Sequence, residues 1–404
     1  MAPSRVIVDN MKFASVAVTS SNVDVLLRDV SKAVLDRLGE HADVAFVFVN
    51  AALSTHAATL AANLKKAIGA RVLIGCTGEG VIGPAHEIEN QPALAVVAAQ
   101  MPGVEIEPFV LGKRDLMKIA LNPGSLLSYY QPPFATKFAV MLADPFSCPM
   151  DGVLRAFNQE CDGIPIIGGM ASGARQPNET ALFLNETLHR EGLVGAAFRG
   201  DIEVDVIVSQ GCRPVGPVFE VTDATYNVID SLGGQPPMTR IQALVDDLDE
   251  EDRELLQNGL FIGRAIDSKK DPIGRGDFLV RGVMGVDGES GAIAIGDTVT
   301  AGERVQFHLR DARTAREDLE MMLSPQALFG APSGALLFSC NGRGTRLYDE
   351  PDGDISAITS YFRGLDVAGF FCAGEIGPVG GKNFLHGHTA SLALIRTPAP
   401  DPAK

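Results

Sequence analysis

The segment Cys340-Asn-Gly-Arg-Gly344 carries the residues best suited to chemistry. A thiol near a strand end, with a guanidinium three residues on, joins a nucleophile to a group that holds carboxylates in bidentate fashion. Asn341 places an amide between them. His386 and His388 could supply a base or a pair of metal ligands, but an ordinary turn at a strand entry accounts for them equally. No local Cys/His/Asp spacing marks Cys340 as a nucleophile, and free cysteine is usually a small buried hydrophobe. Two carboxylates stand in matching turns, Cys76-Thr-Gly-Glu79 and Cys372-Ala-Gly-Glu375. They could work as acid and base, cap their turns, or receive a ligand ammonium. Cys-x-x-Cys, G-x-G-x-x-G and P-loop spacings are missing from these turns, so neither a metal nor a nucleotide cofactor is expected.

The elements around these turns repeat. Val44–Val49 is a continuous apolar run, fitting a strand buried on both faces. A helix capped by Ser54 follows, with Leu60, Leu64 and Ile68 on one face and a stop at Gly69. Arg71–Ile74 then runs into the turn ending at Gly80, and Ala93–Ala99 closes the unit. The same order returns in Phe138–Leu142, a helix from about Asp151 to Gly163, Ile164–Ile167, and Gly192–Phe198. It returns again in Ala335–Phe338, a helix capped by Asp354 and ending at Gly364, Val367–Phe371, and His388–Ile395. Gly-Pro follows the outer turns at Gly83-Pro84 and Gly377-Pro378, and the middle copy has Ser172 in place of glutamate. The spacing predicts a βαββ unit in three copies, at about 44–99, 138–199 and 335–395.

The fold class is therefore α/β, with mixed sheets covered by helices and α+β as the alternative. Right-handed crossovers would set Asn50, Asp144 and Asn341 along one rim, facing the turns at Glu79, Ser172 and Glu375. Between copies two and three lie a turn-rich connection (Gln210–Pro217), an acidic helix (about Thr239–Gln257), and strands Phe278–Val286 and Asp297–Arg310. Two domains are expected, 1–235 and 236–396, with a disordered tail at 397–404.

The chain has 404 residues, 34 basic and 50 acidic, for a net charge of −16. Such a surface repels phosphate backbones and anionic membranes, and no basic cluster reverses it. No apolar run reaches a membrane span, and Phe13–Val18 reads as a strand. Six scattered cysteines fit a reducing, cytoplasmic setting.

Five segments resemble the FIST family (F-box and intracellular signal transduction). They are the Asn50 strand with Ile74–Glu79, Ser209–Arg213, Leu279–Val283, Phe338–Gly344 and Val367–Pro378. The resemblance implies an N-terminal FIST domain followed by a FIST C domain, acting as a sensory module for small ligands, with amino acids the suggested class. It marks Glu79, Arg281, Cys340, Arg343 and Glu375 as a pocket rim. Some relatives follow an F-box, but the stretch ahead of Val44 holds no Leu-Pro start and is too short for one. A free-standing, non-catalytic sensor with a separate signalling partner is the leading expectation. In it Arg343 or Arg281 takes a ligand carboxylate, and Glu79 or Glu375 an ammonium. The alternatives are a cysteine-dependent enzyme acting through Cys340 on an acyl or amide substrate, and an adaptor scaffold of the ubiquitin-ligase type.

Overall fold

The unit that repeats is larger than strand–helix–strand–strand. A computed structural model describes residues 10–398, so the tail from residue 399 lies outside the described residues. In the first copy, β1 (Lys12–Thr19), α1 (Val23–Leu38), β2 (Ala42–Asn50), α2 (Ala57–Ala67) and β3 (Ala70–Gly78) come first. A hairpin, β4 (Val81–Ile82) and β5 (Glu87–Ile88), and a closing strand, β6 (Ala93–Gln100), complete it. The second copy runs β7 (Val104–Leu111), α3 (Lys113–Leu121), β8 (Thr136–Ala143), α4 (Met150–Glu160) and β9 (Ile166–Met170). Its hairpin is β10 (Leu182–Leu184) and β11 (Thr187–His189), and β12 (Leu193–Gly200) closes it.

After β13 (Glu203–Gln210) the chain enters β14 (Cys212–Thr225), β15 (Val228–Leu232), α5 (Pro237–Asp247) and α6 (Glu250–Leu256). It continues through β16 (Leu260–Ala265), β17 (Phe278–Val286), β18 (Ile293–Ile295) and β19 (Arg304–Arg310). The third copy then follows: α7 (Ala312–Gln326), β20 (Gly334–Cys340), α8 (Gly353–Tyr361) and β21 (Val367–Cys372). Its hairpin is β22 (Glu375–Val379) and β23 (Lys382–His386), and β24 (Thr389–Arg396) closes it.

Each copy gives its hairpin away. The sheet orders are β1-β6-β2-β3-β10-β11, β7-β12-β8-β9-β22-β23 and β13-β24-β20-β21-β4-β5. The second copy thus completes the first sheet, the third completes the second, and the first completes the third. Because every sheet borrows its edge, no copy can bury its last strand alone. Three glycines mark the equivalent position in each copy. A Cβ at Gly75, Gly168 or Gly369 would stand 1.9, 1.9 or 1.7 Å from the carbonyl oxygen of Val47, Met141 or Leu337 on the neighbouring parallel strand. Only glycine fits there.

The inner faces of the three sheets share one core, to which Phe46, Phe48, Phe138, Phe198, Phe338 and Phe370 all contribute. Phe48 stacks on Phe370 across two sheets at 5.2 Å between ring centroids. The outer faces carry helices. Leu26, Val30 and Val34 of α1, with Leu60 and Leu64 of α2, pack on the first sheet, and Leu116, Val153 and Phe157 of α3 and α4 on the second. Buried on both sides, β2, β8 and β20 read as unbroken apolar runs. The helix α1 went unread, though Asn22 caps it by accepting from Asp24 N at 2.9 Å.

Chain contacts divide the described residues into two units. The first comprises residues 10–208, 320–385 and 390–398, and the second residues 209–319 and 386–389. In the second unit β14-β15-β18-β17-β16-β19 close a barrel. The expected turn-rich connection at Gln210–Pro217 is instead a bulged strand, whose register shifts between Val215 and Val218 where Gly216 takes φ +68°. The acidic helix is two helices, because Leu248 turns extended and Asp249 caps α6. The strand expected from Asp297 starts only at Arg304, since Asp297 and Glu303 turn their carboxylates to Arg264. Among the described residues no helix is long and apolar enough to cross a membrane.

Candidate functional site

In the first unit the three copies bring strand ends to one place. A cleft of about 610 Å³ opens there, lined by Asn50, Glu79 and Asn90–Pro92 from the first copy. Phe146, Ser172, Gly173 and Arg175 come from the second, and Asn341 and Ala373 from the third. Asn50 ends β2, and its side chain is spent on backbone. Its Nδ2 donates to the Glu79 carbonyl at 2.7 Å, and its Oδ1 accepts from Ala52 N at 3.0 Å, capping a short 3-10 turn. That cap displaces the one expected at Ser54, and α2 begins only at Ala57. Ser172 ties all three copies with one hydroxyl, accepting from Glu79 N at 2.7 Å and donating to the Phe371 carbonyl. Asp144 lies buried behind the wall and accepts from Ser147 Oγ at 2.5 Å.

Glu79 is 36% exposed and faces a bidentate partner, Arg346, whose Nη1 lies 3.2 Å from Oε2 and whose Nη2 holds Oε1. The same Nη1 donates to the Asn341 carbonyl at 2.7 Å. Arg175 is exposed on the cleft wall, and its guanidinium meets no acceptor among the described residues. The side-chain amide of Asn341, half-buried, turns its N–H donors to no acceptor among the described residues.

Arg343 does not reach the cleft. It is 1% exposed, with Nε 2.8 Å from Asp354 Oδ2 and Nη2 2.6 Å from Oδ1. Tyr348 and Ser339 add hydroxyl donors to the same carboxylate at 2.8 and 2.7 Å. Burial works against Asp354's charge, but Arg343 prevails and keeps its carboxyl below the ordinary range. Asp354 is therefore the partner of a buried guanidinium, not the helix cap expected for α8. The capping carboxylate comes from another copy. Glu87 on the donated strand β5 accepts from Asp354 N and Ile355 N, both at 2.9 Å. Burial, aided by the Asp354 carboxylate and opposed by those two N–H groups and Arg343, pushes Glu87 up to about 8.

Glu375 is fully buried and opens β22 opposite Gly169. Its match with Glu79 slips by two residues. Ile82 pairs with Gly369 and Ile376 with Gly168, so Glu375 stands where Val81 stands and Ala373 where Glu79 stands. The shared Gly-Pro pairs, by contrast, are in register. Cys340 is buried, its sulfur accepting from Gly342 N at 3.4 Å. Arg281 belongs to the second unit, where its Nε lies 3.0 Å from Asp297 Oδ2 within a network that includes Arg264. His386 is buried, and His388 sets its ring 4.4 Å from Phe261 in that unit. No group of three His, Cys, Asp or Glu side chains among the described residues could hold a metal.

The sequence reading passed over Arg175, Arg346, Asn90 and Gln91. Two signals were available. Arg346 lies three residues past Arg343 in the same loop, and Arg175 three past Ser172 in the middle copy's turn.

A model of the FIST N domain matches residues 43–235 and one of the FIST C domain residues 241–378. "Uncharacterized protein Rv0628c" of Mycobacterium tuberculosis is 40% identical over 342 residues, covering 84% of this chain and 87% of that protein. "Uncharacterized protein Mb0898c" of Mycobacterium bovis is 37% identical over 360 residues, covering 88% and 91%. FIST domains are associated with signal transduction and small-ligand sensing. With both domain models matched in order over most of its length, this chain belongs to the FIST family.

Proposed function

We propose that the cleft at the strand ends binds an amino acid or a related zwitterionic metabolite, and that the chain is a non-catalytic sensor signalling through a separate partner protein. One observation carries this reading. All three copies contribute polar groups to one cleft, including a carboxylate (Glu79), an uncommitted guanidinium (Arg175) and an uncommitted amide (Asn341). A zwitterion would set its ammonium on Glu79 and its carboxylate on Arg175, bridging the first and second copies. Arg175 takes the role first expected of Arg343, whose guanidinium is committed to Asp354. The volume lies within the roughly 300–1,000 Å³ of small-molecule pockets. Against the thiol-enzyme reading stands the burial of Cys340 beneath its own loop.

Thermal shift over the common amino acids tests the reading. A ligand at 100 times its Kd should add about 2.7 kcal/mol of stability. At least one amino acid should raise the melting temperature, and Glu79→Gln should cut the rise by about half or more. A panel without any shift overturns the proposal.

A further inference from the structure

The cleft does not end at Arg175. A second cleft of about 440 Å³ shares Ala51, Gly173 and Ala174 with the first and continues to Thr55, Asn178, Glu179 and Arg190. The residues between the two are an alanine, a glycine and an alanine, so no long side chain divides them. Gly173 is held at φ +82°, where an added Cβ would lie 2.4 Å from Ala51 Cβ, and the ridge is as low as a backbone can make it. It also presents donors. The backbone N–H groups of Gly173 and Ala174 meet no acceptor among the described residues. The loop beyond closes on itself, Glu179 accepting from Arg175 N and Gln176 Nε2, both at 2.9 Å, so that Arg175 is hydrogen-bonded into it through its backbone. At the far end Arg190 spends one nitrogen on the Glu179 and Thr180 carbonyls, each at 3.2 Å, and no other partner among the described residues takes its remaining N–H groups.

A single amino acid uses one end of this groove. We infer that the ligand is a short peptide with a free C-terminus. Its ammonium sits on Glu79, its backbone carbonyls meet the Gly173 and Ala174 amides with Arg175 beside them, and its terminal carboxylate reaches Arg190. Extended peptide advances about 3.3–3.6 Å per residue and carries an acceptor in every residue, which is what a low ridge of free amides between a carboxylate and a guanidinium accommodates. This rests on the reading of the first cleft as an amino-acid-type site.

Isothermal titration against the common amino acids, and against dipeptides and tripeptides with free or amidated C-termini, separates the two claims. The best peptide should bind at least about tenfold more tightly than its component amino acids, and amidation or Arg190→Gln should remove about tenfold, the scale of one charge-assisted hydrogen bond. Neither change should alter amino-acid binding. Ala174→Leu, which raises the ridge, should block peptides. If amino acids bind as tightly as peptides, or if Ala174→Leu and Arg190→Gln leave peptide affinity unchanged, the peptide inference fails and the amino-acid reading stands. If nothing in either panel binds, both fall.

Discussion

Arg343 and Arg346 stand three residues apart in sequence, each held by a carboxylate through two guanidinium nitrogens, yet their surroundings are opposite. The Arg343–Asp354 pair is 1% and 0% exposed, whereas Arg346 and Glu79 are 50% and 36% exposed. A buried pair has given up its hydration and must be completed by hydrogen bonds, here from Tyr348 and Ser339. An exposed pair gives up little and exchanges partners readily, which is what a ligand site requires. The difference teaches that a guanidinium near a strand end is structural or ligand-facing according to depth, not residue type. The first copy reaches both pairs in the third, through Glu87 on the Asp354 backbone in one and through Glu79 itself in the other. Glu79 precedes the first copy's donated hairpin and Glu87 lies on it, the first set on the cleft and the second in the buried cluster.

Removing one partner of the buried pair should break the comparison most strongly. Arg343→Ala should cost about 3–5 kcal/mol by stranding the Asp354 charge, while Arg343→Met combined with Asp354→Leu should cost less than the single change. Chemical denaturation followed by circular dichroism reads both. A single-mutant loss below about 1 kcal/mol would show that solvent reaches the cluster.

The next effect depends on pH. Glu87 holds its proton up to about 8 in the folded chain, against 4.5 for an unperturbed glutamate. From pH 4.5 to 8 Glu87 is therefore less protonated in the unfolded chain than in the folded one, and its contribution to stability falls as pH rises through that window. Glu87→Gln removes the titration, so the melting temperature of the variant relative to wild type should climb between pH 5 and 8. A difference that stays flat across that range would mean Glu87 is ionised in the fold.

The smallest effect on stability belongs to the exposed pair. Glu79→Gln and Arg346→Ala should each change unfolding free energy by less than about 1 kcal/mol. Glu79→Gln should nevertheless cost a bound zwitterion about tenfold or more in affinity, the scale of a lost charge-assisted hydrogen bond. A large loss of stability in either variant would erase the distinction between the two arginines.

Much of the fold was written locally. Val44–Val49, Phe138–Leu142 and Ala335–Phe338 are apolar throughout, and the helices after the first two end at Gly69 and Gly163 with φ of +59° and +79°. The motif match was less faithful. Cys-x-Gly-Glu recurs in the sequence, but the register set by Gly75 and Gly369 moves Glu375 two residues along, into the core. An even slip keeps a side chain on the same face of a strand, so the pattern of apolar residues carries no trace of it. The barrel was missed because its strands are bulged and half-polar, without the unbroken apolar run that marks a strand covered on both faces.

By itself the sequence determined which segments become strands and helices, that a strand–helix–strand unit recurs, and that glycines must occupy its tight turns. These follow from side-chain period and backbone sterics, which act over a few residues. Tertiary structure alone decided which copy receives each hairpin, which arginine is sealed and which stays at the surface, and which polar residues share a cleft. Contacts across 93 or 267 residues, as between Glu79 and its partners Ser172 and Arg346, depend on strand edges that are chemically alike until the whole core closes around them.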